Sequence, residues 1–265
     1  MTIEQIIVLA IVQGVTEFLP ISSSGHLILV PQLMHWEDQG LVVDVMTHVG
    51  TLFAILIYFW RDVWRIARGA IELFKRKITD DGKLAIYIAL ATIPAVAFGL
   101  VLKEFGFGDL ERNVAVVAWN TILYGILMLI ADMVGPQERT INNMTLGSAL
   151  IIGVAQALAL IPGTSRSGVT MTAARFLGFT RPDAARFSFL LGIPAIAGAG
   201  VLTVGDALAS GDPVTMDAVY CAILTFFAGL AAIAFLMALV KRVSFLPFVL
   251  YRMMLGGFLL VMIYS

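Results

Sequence analysis

Apolar residues fall in six blocks long enough to cross a bilayer as helices, at roughly 41–60, 84–103, 114–134, 184–204, 216–240 and 245–264. A hydrocarbon core of about 30 Å takes about 20 residues of helix. The two-residue alternation of barrel strands is absent from these blocks. Two further apolar regions do not read as simple spans. Residues 3–35 are interrupted by Gln13, Glu17, Pro20, the run Ser22-Ser23-Ser24-Gly25 and His26. Residues 146–180 are interrupted by Gln156 and by Pro162-Gly163-Thr164-Ser165-Arg166-Ser167-Gly168. Each predicts two half-helices around a polar break, the device by which membrane proteins build polar sites without exposing backbone to lipid.

Charge sets the expected direction of each span. Loop 61–83 carries Arg61, Arg65, Arg68, Lys75, Arg76, Lys77 and Lys83, which places it in the cytoplasm. Its Val63, Ala67, Ala70, Phe74 and Ile78 recur at helical spacing opposite that basic face, as in a helix lying on an anionic leaflet. Loops 104–113 and 205–215 are mostly acidic and are expected outside; Arg139, Lys241 and Arg242 mark the inside. Six spans satisfy this order only if each broken segment enters and leaves on one side, 3–35 from outside and 146–180 from inside. The predicted fold is an all-α polytopic membrane protein. It has six transmembrane helices plus two re-entrant helical hairpins, in a single domain of inverted repeats, 1–134 and 146–265. In one register Gln13 meets Gln156, Ser22 meets Ser165, Ser24 meets Ser167 and Gly25 meets Gly168, while Pro20 and Pro162 miss by one.

Composition agrees. Of 265 residues, 60% are hydrophobic and 13% charged, and the mean hydropathy is +0.94; an ordinary soluble domain is about 25% charged. The 17 basic against 18 acidic residues leave no basic excess for a nucleic-acid partner. A single cysteine, Cys221, excludes an internal disulfide framework and a cysteine metal cluster. The first apolar stretch, Ile6 to Val12, lacks a basic leader and runs into Gln13 and Glu17, so it is expected to belong to the mature fold.

The few charges inside apolar segments carry the chemistry. Gln13 and Glu17 are four apart and share a helix face. A carboxylate in hydrocarbon faces a wet cavity or a partner, so Glu17 reads either as a metal or phosphate-site ligand or as one half of an ion pair with an arginine. Pro20 breaks the helix; Ser22, Ser23 and Ser24 follow, each a hydroxyl or a cap for the next helix. His26 can move a proton near neutral pH or serve as a hydrogen-bonded structural residue. In the second break, free amides at a helix start bind anions. Gly163 and Gly168 let an anion approach, Thr164, Ser165, Ser167 and Thr170 add hydroxyls, and Arg166 presents a fork suited to phosphate oxygens. The bland alternative is a capping loop whose Arg166 neutralises Glu17. Asp44 and His48 are either a second layer behind this site or a wet helix end. Arg175, Arg181 and Arg186 are expected to anchor at the cytoplasmic boundary, and Arg252, within the last span, requires a partner that the sequence does not name.

At these residues the chain resembles the undecaprenyl pyrophosphate phosphatase family, also called the bacitracin-resistance proteins. One family motif, Glu or Gln, three residues, then Glu, is matched by Gln13-Gly-Val-Thr-Glu17 and continues through Ser-Ser-Ser-Gly-His26; the other is matched by Pro162-Gly-Thr-Ser-Arg-Ser-Gly-Val-Thr170. The resemblance implies hydrolysis of a C55 isoprenoid diphosphate to the monophosphate and inorganic phosphate, recycling the lipid carrier of cell-wall synthesis. It also implies dependence on a divalent cation, Mg²⁺ or Ca²⁺, and an inverted-repeat fold that is a homodimer in many members. The location implied is the bacterial inner membrane, with the site opening outward. By motif position Glu17 is the essential acid and metal ligand, Ser23 the proposed nucleophile, His26 the catalytic histidine and Arg166 the phosphate-binding arginine. Gln13 stands where some members have Glu, and Ser24 where some have Thr. The remaining substrate-binding candidates are Ser22, Gly163, Thr164, Ser165, Ser167 and Thr170. Either Ser23 attacks phosphorus or His26 activates water. Broken inverted repeats also occur in carriers, so a lipid-phosphate flippase or proton-coupled transporter is the rival reading, and an anion channel lined by Arg166 a weaker third.

Overall fold

A computed structural model describes residues 1–36, 39–105, 113–210 and 214–264. Its elements are α1 (Ile3–Thr16), α2 (Ser23–Met34), α3 (Leu41–Tyr58), α4 (Trp60–Phe74), α5 (Asp80–Phe105), α6 (Val114–Val134), α7 (Leu146–Leu158), α8 (Arg166–Phe176), α9 (Arg181–Ser210), α10 (Met216–Leu239) and α11 (Leu246–Tyr264). One 3₁₀ turn lies at Ile141–Asn143. Polar residues just before the apolar runs set several starts. Thr2 caps α1 in a reciprocal box with Gln5, Asn113 accepts from the amides of Ala115 and Val116 at α6, and Thr145 and Thr215 cap α7 and α10.

Each of the six apolar blocks lies on one long helix. Of these, α5, α6, α9, α10 and α11 are long and apolar enough to span a membrane alone; α3 joins them when taken with α4, from which it is bent by 85°. The bend falls at Phe59–Trp60, where the sequence turns from apolar to basic, and α4 continues with Trp60, Trp64 and Phe74 exposed. Asp81 at the start of α5 accepts from Arg65 Nη2 at 2.7 Å and ties α4 to α5. Both expected breaks are present. At 14 and 13 residues, α1 and α7 are apolar but too short to cross, and each is followed by an irregular turn and a second short helix.

Within the bundle α10 packs on α1 and α3, α7 on α5, α11 on α6, and α9 runs against α3, α5 and α8. Small residues allow the close approaches: a Cβ on Gly14 would lie 2.9 Å from the backbone of Gly229 in α10. Phe18, in the first break, is fully buried edge-on to Phe189 of α9, with centroids 5.5 Å apart and planes at 85°. That contact pins the break against the second half of the chain. Val201, Met254 and Phe258 point outward, as lipid-facing residues do.

The arginines expected as boundary anchors each form an ion pair within the protein. Arg175 is fully buried. Its Nε donates to Asp132 Oδ1 at 3.2 Å, and its other nitrogens donate to the carbonyls of Asp132, Gly135, Pro136 and Phe179. Arg181 donates to both oxygens of the same Asp132, and Arg186 pairs with Asp62. These residues are structural ion pairs that staple α8 and α9 to α6 and α4; desolvated charges need such partners.

Candidate active site

The two breaks meet. Glu17 caps the C-terminal end of α1, where the helix dipole disfavours an acid. The penalty is offset across the chain: Arg166 Nη2 donates to Glu17 Oε1 at 2.8 Å. Glu17 Oε2 accepts from the Ser23 hydroxyl at 2.8 Å and from Gln13 Nε2 at 3.2 Å, and His48 Nε2 lies 3.8 Å away. His48 therefore stands behind the carboxylate and Asp44 one turn beyond it, with His48 Nδ1 donating to the Asp44 carbonyl at 2.8 Å. Glu17 is 6% exposed and Gln13 not at all. Glu17 thus touches both an arginine and the serine of its own motif, and the ion pair with an arginine is formed.

Backbone geometry makes these contacts. Ser22 and Ser165, the residues just before α2 and α8, have φ of 75° and 71°. A left-handed serine costs about 1–3 kcal/mol and persists where the surroundings enforce it. The consequence is a sharp turn that aims the first residue of each following helix, Ser23 or Arg166, back at Glu17. Ser165 also caps α8, its Oγ accepting from the Gly168 amide at 3.2 Å, so one of the expected anion-binding amides is used within the loop. Gly163 has φ of 85°, and a side chain there would meet the Val117 backbone. The Ser167 hydroxyl donates to the carbonyls of Glu17 and Leu19, at 3.2 Å each, sewing one break to the other.

Other candidates lie further from the carboxylate. Thr170 is buried and shares its hydroxyl with the Arg166 carbonyl and Ser188 Oγ, facing α9. Thr164 is buried and its hydroxyl has no partner among the described residues. Ser22 is buried, and its carbonyl lies 2.7 Å from His26 Nδ1. The Ser24 side chain lies outside the described residues. His26 is not seen on Ser23. A carbonyl only accepts, so Nδ1 carries the proton in the Ser22 contact, and Nε2 of a neutral ring accepts the Tyr251 hydroxyl at 2.5 Å. The two rings stack 5.6 Å apart at 13°.

Three residues that the motifs did not single out belong to this region. Tyr251 is one; a polar-tipped aromatic in an apolar span is its only sequence signal. Gly192 of α9 is the second, because a Cβ there would fall on the Arg166 guanidinium. Arg252 is the third, and its carbonyl partners supply the identity that the sequence left blank: Thr121 at 3.0 Å and Gly163 at 2.9 Å, with Pro20 and Asn120 at 3.3 Å.

Comparison with known proteins agrees with this geometry. The family profile described as Bacitracin resistance protein BacA matches residues 6–258, which include both breaks and Tyr251–Arg252. The chain is 47% identical to a protein of Erythrobacter litoralis (strain HTCC2594) over 98% of this chain and 99% of the relative. It is 47% identical to one of Jannaschia sp. (strain CCS1) over the whole of both chains, and 45% to one of Roseobacter denitrificans, again over both whole chains. All three relatives are named undecaprenyl-diphosphatase. With a match covering residues 6–258 and including both breaks, the chain belongs to the family of the Bacitracin resistance protein BacA.

Proposed function

We propose that this protein is an integral membrane undecaprenyl-diphosphatase, releasing inorganic phosphate from a C55 isoprenoid diphosphate and leaving the monophosphate carrier. The observation that carries the reading is the chain of contacts Ser23–Glu17–Arg166, assembled from residues 149 apart in sequence. It unites a hydroxyl nucleophile, a carboxylate to take its proton and a guanidinium for phosphate oxygens. The names of the relatives supply the substrate.

The step follows from the hydrogen bonds. Arg166, hydroxyls of the second break such as Thr164, and the first-turn amides of α8 hold the phosphate oxygens. Ser23 Oγ attacks the terminal phosphorus as its proton passes to Glu17 Oε2; the bridging P–O bond breaks and the prenyl monophosphate leaves. Water then hydrolyses the phosphoserine to inorganic phosphate and restores Ser23. Because Ser23 is bonded to Glu17 while His26 Nε2 is held by Tyr251, we favour this route over attack by water activated at His26.

The donor set fits a divalent cation of the hard, oxygen-seeking kind. Among the described residues no group of three His, Cys, Asp or Glu side chains forms a cage. Gln13 Oε1, however, is buried beside Glu17 without a partner. Glu17, Gln13 and Ser23 oxygens would hold Mg²⁺ or Ca²⁺, completed by phosphate oxygens as is usual for Mg²⁺ at phosphates. Such an ion supplies further neutralisation of phosphate charge.

The inverted repeat of six spans and two hairpins has structural support beyond the sequence register. Ser22 and Ser165 align in that register and share the same strained turn. The packing of α1 on α10 is mirrored by that of α7 on α5. Positive residues on α4 and near 241–242 then orient the protein in the inner membrane with the first hairpin entered from the outer side. The test uses purified protein and a long-chain prenyl diphosphate, with and without chelator. Phosphate release that stops with chelator and returns with Mg²⁺ or Ca²⁺ is expected. No release from well-folded protein would overturn the enzyme in favour of a lipid carrier, and near-normal turnover by Ser23→Ala would overturn the covalent route.

A further inference from the structure

Arg252 is an unusual cation for a membrane interior. It is fully buried within the last span. Its partners are four backbone carbonyls, from the first break (Pro20), the second break (Gly163) and the middle of α6 (Asn120 and Thr121). The other deeply placed arginines each have a carboxylate: Arg166 has Glu17, Arg175 and Arg181 have Asp132, and Arg186 has Asp62. Among the described residues, no carboxylate pairs with Arg252.

A buried charge without a counter-charge is expensive, and carbonyl dipoles compensate it only in part. Neutral donors suffice to hold carbonyls together, so structure alone does not explain an arginine here. Position does. A Cβ placed on Gly168, in the first turn of α8, would lie 3.3 Å from Arg252 Nη1. The guanidinium therefore sits directly behind the helix start that offers its amides to an anion, and its positive charge adds to theirs. Through Gly163 and Pro20 it also fixes the spacing of the two loops. Building on the diphosphatase reading, we propose that Arg252 is a positioning residue whose uncompensated charge is completed by the phosphate groups of the substrate.

The experiment separates charge from shape. Inhibition by inorganic pyrophosphate and KM for a prenyl diphosphate are measured on purified, thermally characterised wild type, Arg252→Lys and Arg252→Gln. At an effective dielectric of about 20, a unit charge within about 10 Å of an anion changes its affinity on the order of tenfold. Arg252→Gln is therefore expected to raise the pyrophosphate Ki and KM about tenfold or more, and Arg252→Lys to stay within about threefold of wild type. A second pair leaves Arg252 in place and delivers the missing counter-charge. A Cβ on Gly125 would lie 3.5 Å from Arg252 Nε, with the movable end of Met253 its nearest neighbour. Gly125→Asp is expected to weaken pyrophosphate inhibition as Arg252→Gln does, while the equally sized Gly125→Asn retains it. An unchanged Ki in folded Arg252→Gln overturns the proposal, as does equal loss in the Lys and Gln variants. If Arg252→Gln does not fold, equal behaviour of Gly125→Asp and Gly125→Asn overturns it. Wild type that releases no phosphate refutes the diphosphatase reading instead, a separate result.

Discussion

Replacing Glu17 by Gln removes one charge and almost no volume, and the structure states what should follow. The amide oxygen takes the place of Oε1 and still accepts from Arg166. The amide nitrogen then faces Ser23 Oγ, which can accept instead of donate, and Gln13, whose unpartnered Oε1 can turn in to accept. The turned Gln13 leaves its Nε2 where the unpartnered Oε1 lay, so the number of stranded buried atoms does not rise and the fold should hold. What disappears is the acceptor for the Ser23 proton. General base catalysis contributes roughly 10²–10⁴ in rate, or about 2.7–5.4 kcal/mol of barrier. Phosphate release under saturating prenyl diphosphate should therefore fall in kcat by about 10²–10⁴, with KM unchanged or lower because Arg166 is no longer held by a carboxylate. Ser23→Ala combined with Glu17→Gln should be little worse than either alone, since the two act as one unit. Glu17→Gln with kcat within about threefold of wild type would refute the base assignment, and so would a loss confined to KM.

Gly192→Ala should push the Arg166 guanidinium off Glu17, raise KM about 10–100-fold and lower the melting temperature because a buried ion pair is broken, read by kinetics and a melting curve in parallel. Tyr251→Phe keeps the stack on His26 but removes a hydrogen bond worth about 1 kcal/mol, so a fall in kcat of about fivefold is expected if His26 takes part in turnover and none if it does not. Asp132→Ala strands the fully buried Arg175 and should destabilise the protein by about 3–5 kcal/mol, measured by denaturant unfolding in detergent, while whatever remains folded keeps near-normal kcat.

The spans were legible because lipid imposes a demand on every residue of a crossing helix, and six long apolar runs answer it. Both breaks were legible for the opposite reason: Pro20 and Pro162 followed by serines and glycines cannot continue an apolar helix, and in hydrocarbon such segments have few other uses. Arg166 and Glu17 could each be singled out as a costly charge, but whether they meet each other or a ligand depends on a contact spanning 149 positions. The full burial of Arg175 is not legible, because Arg175, Arg181 and Arg186 look alike in sequence. The lone aspartate of the apolar run 114–134, Asp132, holds both Arg175 and Arg181, and which of the two is buried is decided by packing. Gly192 is not legible and Tyr251 only as a polar-tipped aromatic in an apolar span: what marks them is the space beside a guanidinium and the reach of an imidazole, which are properties of packing.

The distribution of charge explains why the site belongs at the breaks and not at the ion pairs nearer the expected cytoplasmic end. There the guanidiniums of Arg175, Arg181 and Arg186 each touch a carboxylate, of Asp132 or Asp62, and are held in place by it. At the breaks one carboxylate, Glu17, faces two guanidiniums, Arg166 within contact and Arg252 behind the α8 helix start. Gln13, neutral where some family members carry an acid, leaves that imbalance uncorrected. A polyanionic headgroup drawn into this region meets a net positive charge in a medium that screens it weakly, so the same residues that are costly in the empty protein become favourable once phosphate arrives. In the proposed mechanism the binding of the headgroup and the activation of Ser23 are linked, because Glu17 is bonded at once to Arg166 and to Ser23 and a turn of Arg166 toward phosphate would free the carboxylate to accept the serine proton.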